Sequence, residues 1–169
     1  MRKLIALPLL PLMALLPAPL AAKDSLGVFS DWGAFRDPAE PRCYAIATAM
    51  NAGSADKKRE FEPYASIGTW PKRQLRNQIH FRLSRNVSPT AKIVLTVGRG
   101  TQFELTGGGG DAWAQDRRMD AAIIAAMRSA GGMIVTARDS KGASFTDRYS
   151  LAGAATAMDA ATVGCARLR

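Results

Sequence analysis

Residues 78–84 alternate without a break. Ile79, Phe81 and Leu83 fall on one side, and Gln78, His80, Arg82 and Ser84 on the other. A period of two predicts a strand with one buried and one wet face, typical of antiparallel sheets. Shorter strand pieces are expected at 28–29 and 32–35 around a Ser30-Asp31 turn, at 42–48 carrying Cys43, and at 64–70 ending before Pro71. Residues 92–97 and 101–105 flank Gly98-Arg99-Gly100, and 133–138 and 144–150 flank Asp139-Ser140-Lys141-Gly142. Both pairs predict hairpins. Asp37-Pro38-Ala39-Glu40-Pro41 predicts a turn, residues 51–62 an exposed loop, and Gly107 to Gly110 a loose connection.

Two segments change to the helical period. Over 116–130, Met119, Ile123, Ala126, Met127 and Ala130 share a stripe, with Asp116 as N-cap and Gly131-Gly132 as terminator. Over 154–163, Leu151, Ala155, Met158 and Thr162 line up, and Gly164 is expected to close the helix before Cys165. The sum is a mainly β domain, an antiparallel β-sandwich or partly closed barrel with two packed helices.

The first 22 residues follow neither period. Met1-Arg2-Lys3 is basic, Leu4 to Leu16 is apolar apart from Pro8 and Pro11, and Ala18-Pro19-Leu20-Ala21-Ala22 supplies small residues. That order predicts a secretory signal over 1–22, with a single domain over 23–169. The apolar run falls short of the roughly 20 residues of a membrane span, so no transmembrane segment is expected after cleavage. About 147 residues remain, the size of one ordinary domain. The expected location is the periplasm or the extracellular medium.

Export changes the meaning of the two cysteines. Cys43 and Cys165 lie near opposite ends of the mature chain, and two cysteines in an exported protein usually pair. The bond would close a loop of about 120 residues, worth roughly 5 kcal/mol in the chain-entropy picture. The alternatives are free thiols or a metal site, although two Cys without a nearby His do not complete a zinc tetrahedron.

Charge enters next. The chain carries a formal charge of +9, two units of which leave with Arg2 and Lys3. Lys72, Arg73, Arg76, Arg82 and Arg85 bracket one strand near Tyr64 and Trp70 and could form an anion-binding face. Ordinary solvated basic residues are the competing reading. Export disfavours nucleic acid as a partner.

Catalytic chemistry is sparse. His80 is the single histidine, so any histidine-dependent centre must use it. Its place on a polar strand face reads as a surface residue. No G-x-S-x-G elbow is present. Glu60 and Glu62 sit beside Lys57, Lys58 and Arg59, which hold them ionised and solvated rather than poised for catalysis. Gly107 to Gly110 lacks the Lys-Ser/Thr of a phosphate loop, and Asp111, Asp116 and Asp120 lack calcium-loop spacing. No catalytic residue, cofactor or metal is expected.

Phe29-Ser30-Asp31-Trp32, Arg42-Cys43-Tyr44-Ala45, the run Thr146 to Gly153 and the final Cys165 together resemble the invasion-associated locus B family of exported alphaproteobacterial proteins. The resemblance spans most of the mature chain. The family pattern often has an extra cysteine where Phe35-Arg36 stands here, and an aromatic where Ala154-Ala155 follows Gly153. The resemblance therefore implies one disulfide in a divergent branch, and it carries over no catalytic residue. The expectation is a non-enzymatic binding or accessory module that meets an envelope or extracellular partner. The competing expectations are an envelope-substrate hydrolase that depends on His80, and a module that holds an anionic envelope surface through Lys72–Arg85.

Overall fold

The structure is a computed structural model that describes residues 22–50 and 59–166. The expected signal, up to Ala21, and most of the expected 51–62 loop, including Lys57 and Lys58, lie outside the described residues.

Nine strands form one antiparallel sheet in the order β1-β2-β3-β4-β5-β7-β6-β8-β9. They are β1 (Asp24–Phe29), β2 (Trp32–Asp37), β3 (Arg42–Thr48), β4 (Tyr64–Trp70), β5 (Leu75–Val87), β6 (Ile93–Val97), β7 (Thr101–Trp113), β8 (Gly132–Arg138) and β9 (Ser144–Ser150). Helix α1 (Arg117–Met127) joins β7 to β8, and α2 (Ala154–Cys165) follows β9. The fold is mainly β with two helices, as the hydrophobic pattern predicts.

No ladder joins β1 to β9, so the sheet is open. It nevertheless curls back on itself. The indole Nε1–H of Trp32 donates to the Ser150 carbonyl at 2.9 Å, and Met50 N–H donates to the Arg148 carbonyl at 2.7 Å. Ser84 N–H on β5 donates to Asp147 Oδ2 on β9 at 2.9 Å. These bonds bring the last strand against the start of β2, the end of β3 and β5.

Gly107 to Gly110 are part of β7, not the loose connection that composition suggests. The first half of β7 pairs with β6 and the second half with β5. The glycines let one strand bend between two partners. A Cβ on Gly107 would collide with the Asp111 carbonyl and Ala112 Cα. The polyglycine run is therefore a hinge in the sheet.

Helix α1 starts as expected: Asp116 caps it by accepting from Met119 N–H at 2.8 Å. It buries Ile123, Ile124 and Met127. It also buries Asp120, whose Oδ1 accepts the Ile79 N–H at 2.9 Å. The helix ends at Met127, several residues before Gly131-Gly132, because Arg128 already forms its C-cap.

Helix α2 departs further from expectation. Its buried face is Ala154, Ala157, Met158, Ala161 and Cys165. Gly164 does not end the helix but lies within it, where a Cβ would strike Leu26 of β1. The helix packs across β1 to β4, chiefly on β3 and β2. The strand side of that contact is also small: Ala34, Ala45, Ala47 and Ala65 are fully or almost fully buried. Gly153 caps the helix with φ of 84°, and any Cβ there would overlap the Phe29 carbonyl.

Cys43 and Cys165 form a disulfide with a Cα–Cα distance of 5.6 Å. It ties the end of α2 to β3 across 122 residues of sequence. Reducing it should lower the unfolding free energy by roughly 2–5 kcal/mol. Denaturant titration with and without reductant measures the loss. Equal midpoints would show that α2 stays seated without the bond.

Two buried carboxylates set a pH response. Desolvation pushes both Asp120 and Asp147 above the ordinary value of 3.8, against the hydrogen bonds from Ile79 and Ser84. Each folded group therefore binds its proton more tightly than the unfolded one. That contribution to stability is complete below pH 3.8 and is lost as pH rises through the raised value. Asp147→Asn keeps the Asp120 part of this slope and loses the Asp147 part. Melting curves between about pH 4 and pH 7 should show wild type losing stability relative to Asp147→Asn as pH rises. A constant difference would contradict the desolvation argument.

Candidate functional site

The strand period gives β2 to β5 two unlike faces. The inner face carries the alanines and Ile67, Ile79 and Phe81. The outer face is wet and aromatic. Tyr44, Gly68 and Gln78 form one cross-strand row, and Ile46, Ser66, His80 and Trp113 the next. Tyr64, Arg82 and Asp111 form a third. The first two rows, with Tyr64, Lys23, Arg42 and Trp70, line a groove of about 480 Å³.

Each ring has a specific seat. Trp70 lies over Gly68, where a Cβ would come within 2.5 Å of its ring. Glycine therefore supplies the space for the indole. Trp113 stacks on His80 with centroids 5.1 Å apart, and Tyr64 meets His80 edge-on at 5.6 Å. The Arg42 guanidinium sits 4.8 Å from the Tyr44 ring centre and 5.9 Å from that of Trp70. Arg82 lies 3.8 Å from the Phe61 ring centre, and both fill the space above Gly110.

The cations of this face have carboxylate partners. Asp111 receives His80 Nε2 at 2.9 Å through one oxygen and Arg82 Nη1 at 2.7 Å through the other. Asp37 stands 3.6 Å from Arg42 and 3.9 Å from Lys23, and Glu40 lies 3.5 Å from Arg42 Nε. The groove thus combines aromatic surface, neutral polar groups and paired charges. His80 is on the wet face, as alternation predicts, but it is not a simple surface residue. It is held between two rings and fixed by Asp111, which is 31 residues away in sequence. That separation left no sequence signal for the pair.

The basic residues near β5 separate into groups. Lys72 and Arg73 sit on a 3-10 turn, Pro71–Arg73, and are exposed, as is Arg76. Arg82 is on the wet face beside the groove, paired with Asp111 and set against Phe61. Arg85 pairs with Asp139 at 3.0 Å, with both side chains largely buried. The exposed group is extended by Arg117 at the start of α1, which donates to the Gln74 carbonyl at 3.4 Å. Arg76, Arg117 and Arg128 line a depression of about 330 Å³ beside Asp120. Sequence pattern could not find this second cluster, because α1 is more than 40 residues from the turn.

Glu60 accepts from Asn86 Nδ2 at 2.6 Å, and Glu62 is exposed beside Arg59. Among the described residues, no serine hydroxyl or thiol bonds to His80, and no cluster of His, Cys, Asp and Glu is arranged to hold a metal. No described helix is long and apolar enough to cross a membrane. Comparison with known proteins finds no matching family model, no matching curated protein and no matching solved structure.

The seat of Trp70 can be tested directly. Gly68→Val should displace the indole, changing near-ultraviolet circular dichroism while the far-ultraviolet strand signal persists. An unaltered aromatic spectrum would mean that Trp70 does not depend on the glycine.

Proposed function

We propose that this chain is an exported, non-enzymatic binding module that works in the periplasm or outside the cell. The observation that carries the reading is the half-exposed aromatic groove on a sheet braced from behind by α2 and the Cys43–Cys165 bond. Exposed rings with polar edges suit recognition, because they bring contact area at little entropic cost. The disulfide fits an oxidising compartment.

The resemblance to the invasion-associated locus B family supports the same assignment. Its residues converge around α2: Trp32 bonds to Ser150, Gly153 abuts Phe29, and Cys43 joins Cys165. They act on the fold and leave the outer face free to set the partner.

Co-sedimentation with isolated envelope material tests the reading. Wild type should pellet, and equally folded Trp113→Ala should remain in the supernatant. Equal behaviour of the two would remove the groove from the function. His80→Ala separates the hydrolase reading: a histidine-dependent turnover of envelope substrate would vanish in that variant and would contradict a binding module.

One observation favours a second mode, attachment to an anionic surface. Lys72, Arg73 and Arg76 are exposed, and Arg117 reaches the same turn, its guanidinium donating to the Gln74 carbonyl. Here such a mode predicts binding to phosphatidylglycerol vesicles that weakens steeply with salt and is lost in Arg76→Gln/Arg117→Gln. Vesicle binding that ignores both changes would exclude it.

A further inference from the structure

We infer that the groove on β3, β4, β5 and β7 is a saccharide subsite that takes a linear oligosaccharide of neutral pyranose rings. This rests on the binding-module reading and gives it a ligand class.

The argument is first one of exclusion. Strands β3 and β4 are paired on both edges, and β5 pairs with β4 along the groove and with β7 from His80 to Arg82, so the backbone groups beneath the groove's centre are already used. An extended peptide could not add as a strand, the usual source of its main-chain affinity. An acyl chain would desolvate Ser66, Gln78 and His80 without offering them a hydrogen bond, which is unfavourable for each of them. An anionic ligand would find little unbalanced charge. Arg42, Lys23, Arg82 and His80 all stand within salt-bridge range of Asp37, Glu40 or Asp111.

A pyranose ring fits what remains. One of its sides is a flat array of C–H bonds, which packs on an aromatic face. Its edge is a ring of hydroxyls, each both donor and acceptor. The groove offers the complement: half-buried Trp70, Trp113 and Tyr64 for the faces, and Gln78, Ser66 and the His80–Asp111 pair for the hydroxyls. Gln78 and Ser66 have no side-chain hydrogen bond among the described residues, so their polar groups are available. The volume of about 480 Å³ lies within the roughly 300–1,000 Å³ of ligand sites. The groove is open at its surface and crosses β3, β4, β5 and β7, which suits part of a chain better than an enclosed single sugar.

Isothermal titration of the disulfide-bonded chain with chitotetraose, cellotetraose and maltotetraose tests the inference. At least one should bind, with similar affinity at about 50 mM and about 500 mM NaCl. Tyr64→Ala and Trp113→Ala should each weaken that binding roughly tenfold or more. Gln78→Leu, on a wet strand position, guards against variants that fail to fold: it should also weaken binding at an unchanged melting temperature. The inference is overturned if none of the three binds, if binding collapses with salt, or if folded Gln78→Leu and Tyr64→Ala bind as well as wild type. Chromatography of the recovered sugar separates the two layers of the argument. Intact tetrasaccharide supports both. Shortened products would keep the saccharide subsite and overturn the non-enzymatic reading.

Discussion

Close seating of α2 on the inner face of β2 to β4 is the constraint on which the rest of the molecule depends. Alanines stand on both sides of that contact: Ala34, Ala45, Ala47 and Ala65 on the strands, Ala154, Ala157 and Ala161 on the helix. Gly153 and Gly164 let the backbone approach Phe29 and Leu26. Small residues permit proximity but bury little apolar surface. At about 0.8 kcal/mol per buried CH₂, an alanine contributes far less than a leucine in the same place. The helix α1, seated through Ile123, Ile124 and Met127, has a larger apolar anchor. The disulfide supplies to α2 what its side chains do not. A gain of roughly 5 kcal/mol from loop closure equals the burial of two or three large aliphatic side chains.

The same constraint reaches the outer face through the strand period. Cys43 points inward to α2, while its neighbours Arg42 and Tyr44 point outward into the groove. Fixing β3 from behind fixes the positions of both. Stacking and ion pairs then hold the remaining rings: His80 between Tyr64 and Trp113, and Arg42 against Tyr44. Side chains already ordered in the free protein lose less entropy on binding, where each newly immobilised one costs about 0.5–1.5 kcal/mol. A rigid sheet with seated rings therefore starts recognition with much of its ordering complete.

Local chemistry was legible in the sequence wherever it was decided locally. The Gly98-Arg99-Gly100 and Asp139–Gly142 turns, the alternation around Phe81 and the Asp116 cap all appear where pattern puts them. The disulfide followed from compartment and count. Failures came where a residue's role is set by distant chain. Gly107 to Gly110 look like a loop because composition cannot show that β7 changes partners midway. Gly164 looks like a helix terminator because its true neighbour, Leu26, is far away in sequence. Asp120 looks like a surface charge until Ile79 supplies a donor. The groove was hidden for the same reason. Tyr44, Trp70, His80 and Trp113 lie on four different strands, and only register across those strands makes them one surface.

Charge distribution carries the last consequence. The chain is strongly basic, yet the excess is not in the groove, where carboxylates stand beside each cation. Exposed cations gather instead on the turn before β5 and the start of α1. Unpaired surface charge acts over about a Debye length, near 8–10 Å at ordinary salt, and raises encounter rates with anionic surfaces without regard to fine structure. Paired charge beside stacked rings does the reverse. Its field is short-ranged, and its donors and acceptors are fixed in direction, so it discriminates between ligands by shape and hydrogen-bond pattern. In the proposed binding module, that separation would divide the labour between attraction to an anionic surface and selection of what is held there. Asp111 is the residue that keeps them apart on the groove side. By pairing with Arg82 and bonding to His80 Nε2, it leaves little unbalanced charge on the outer face.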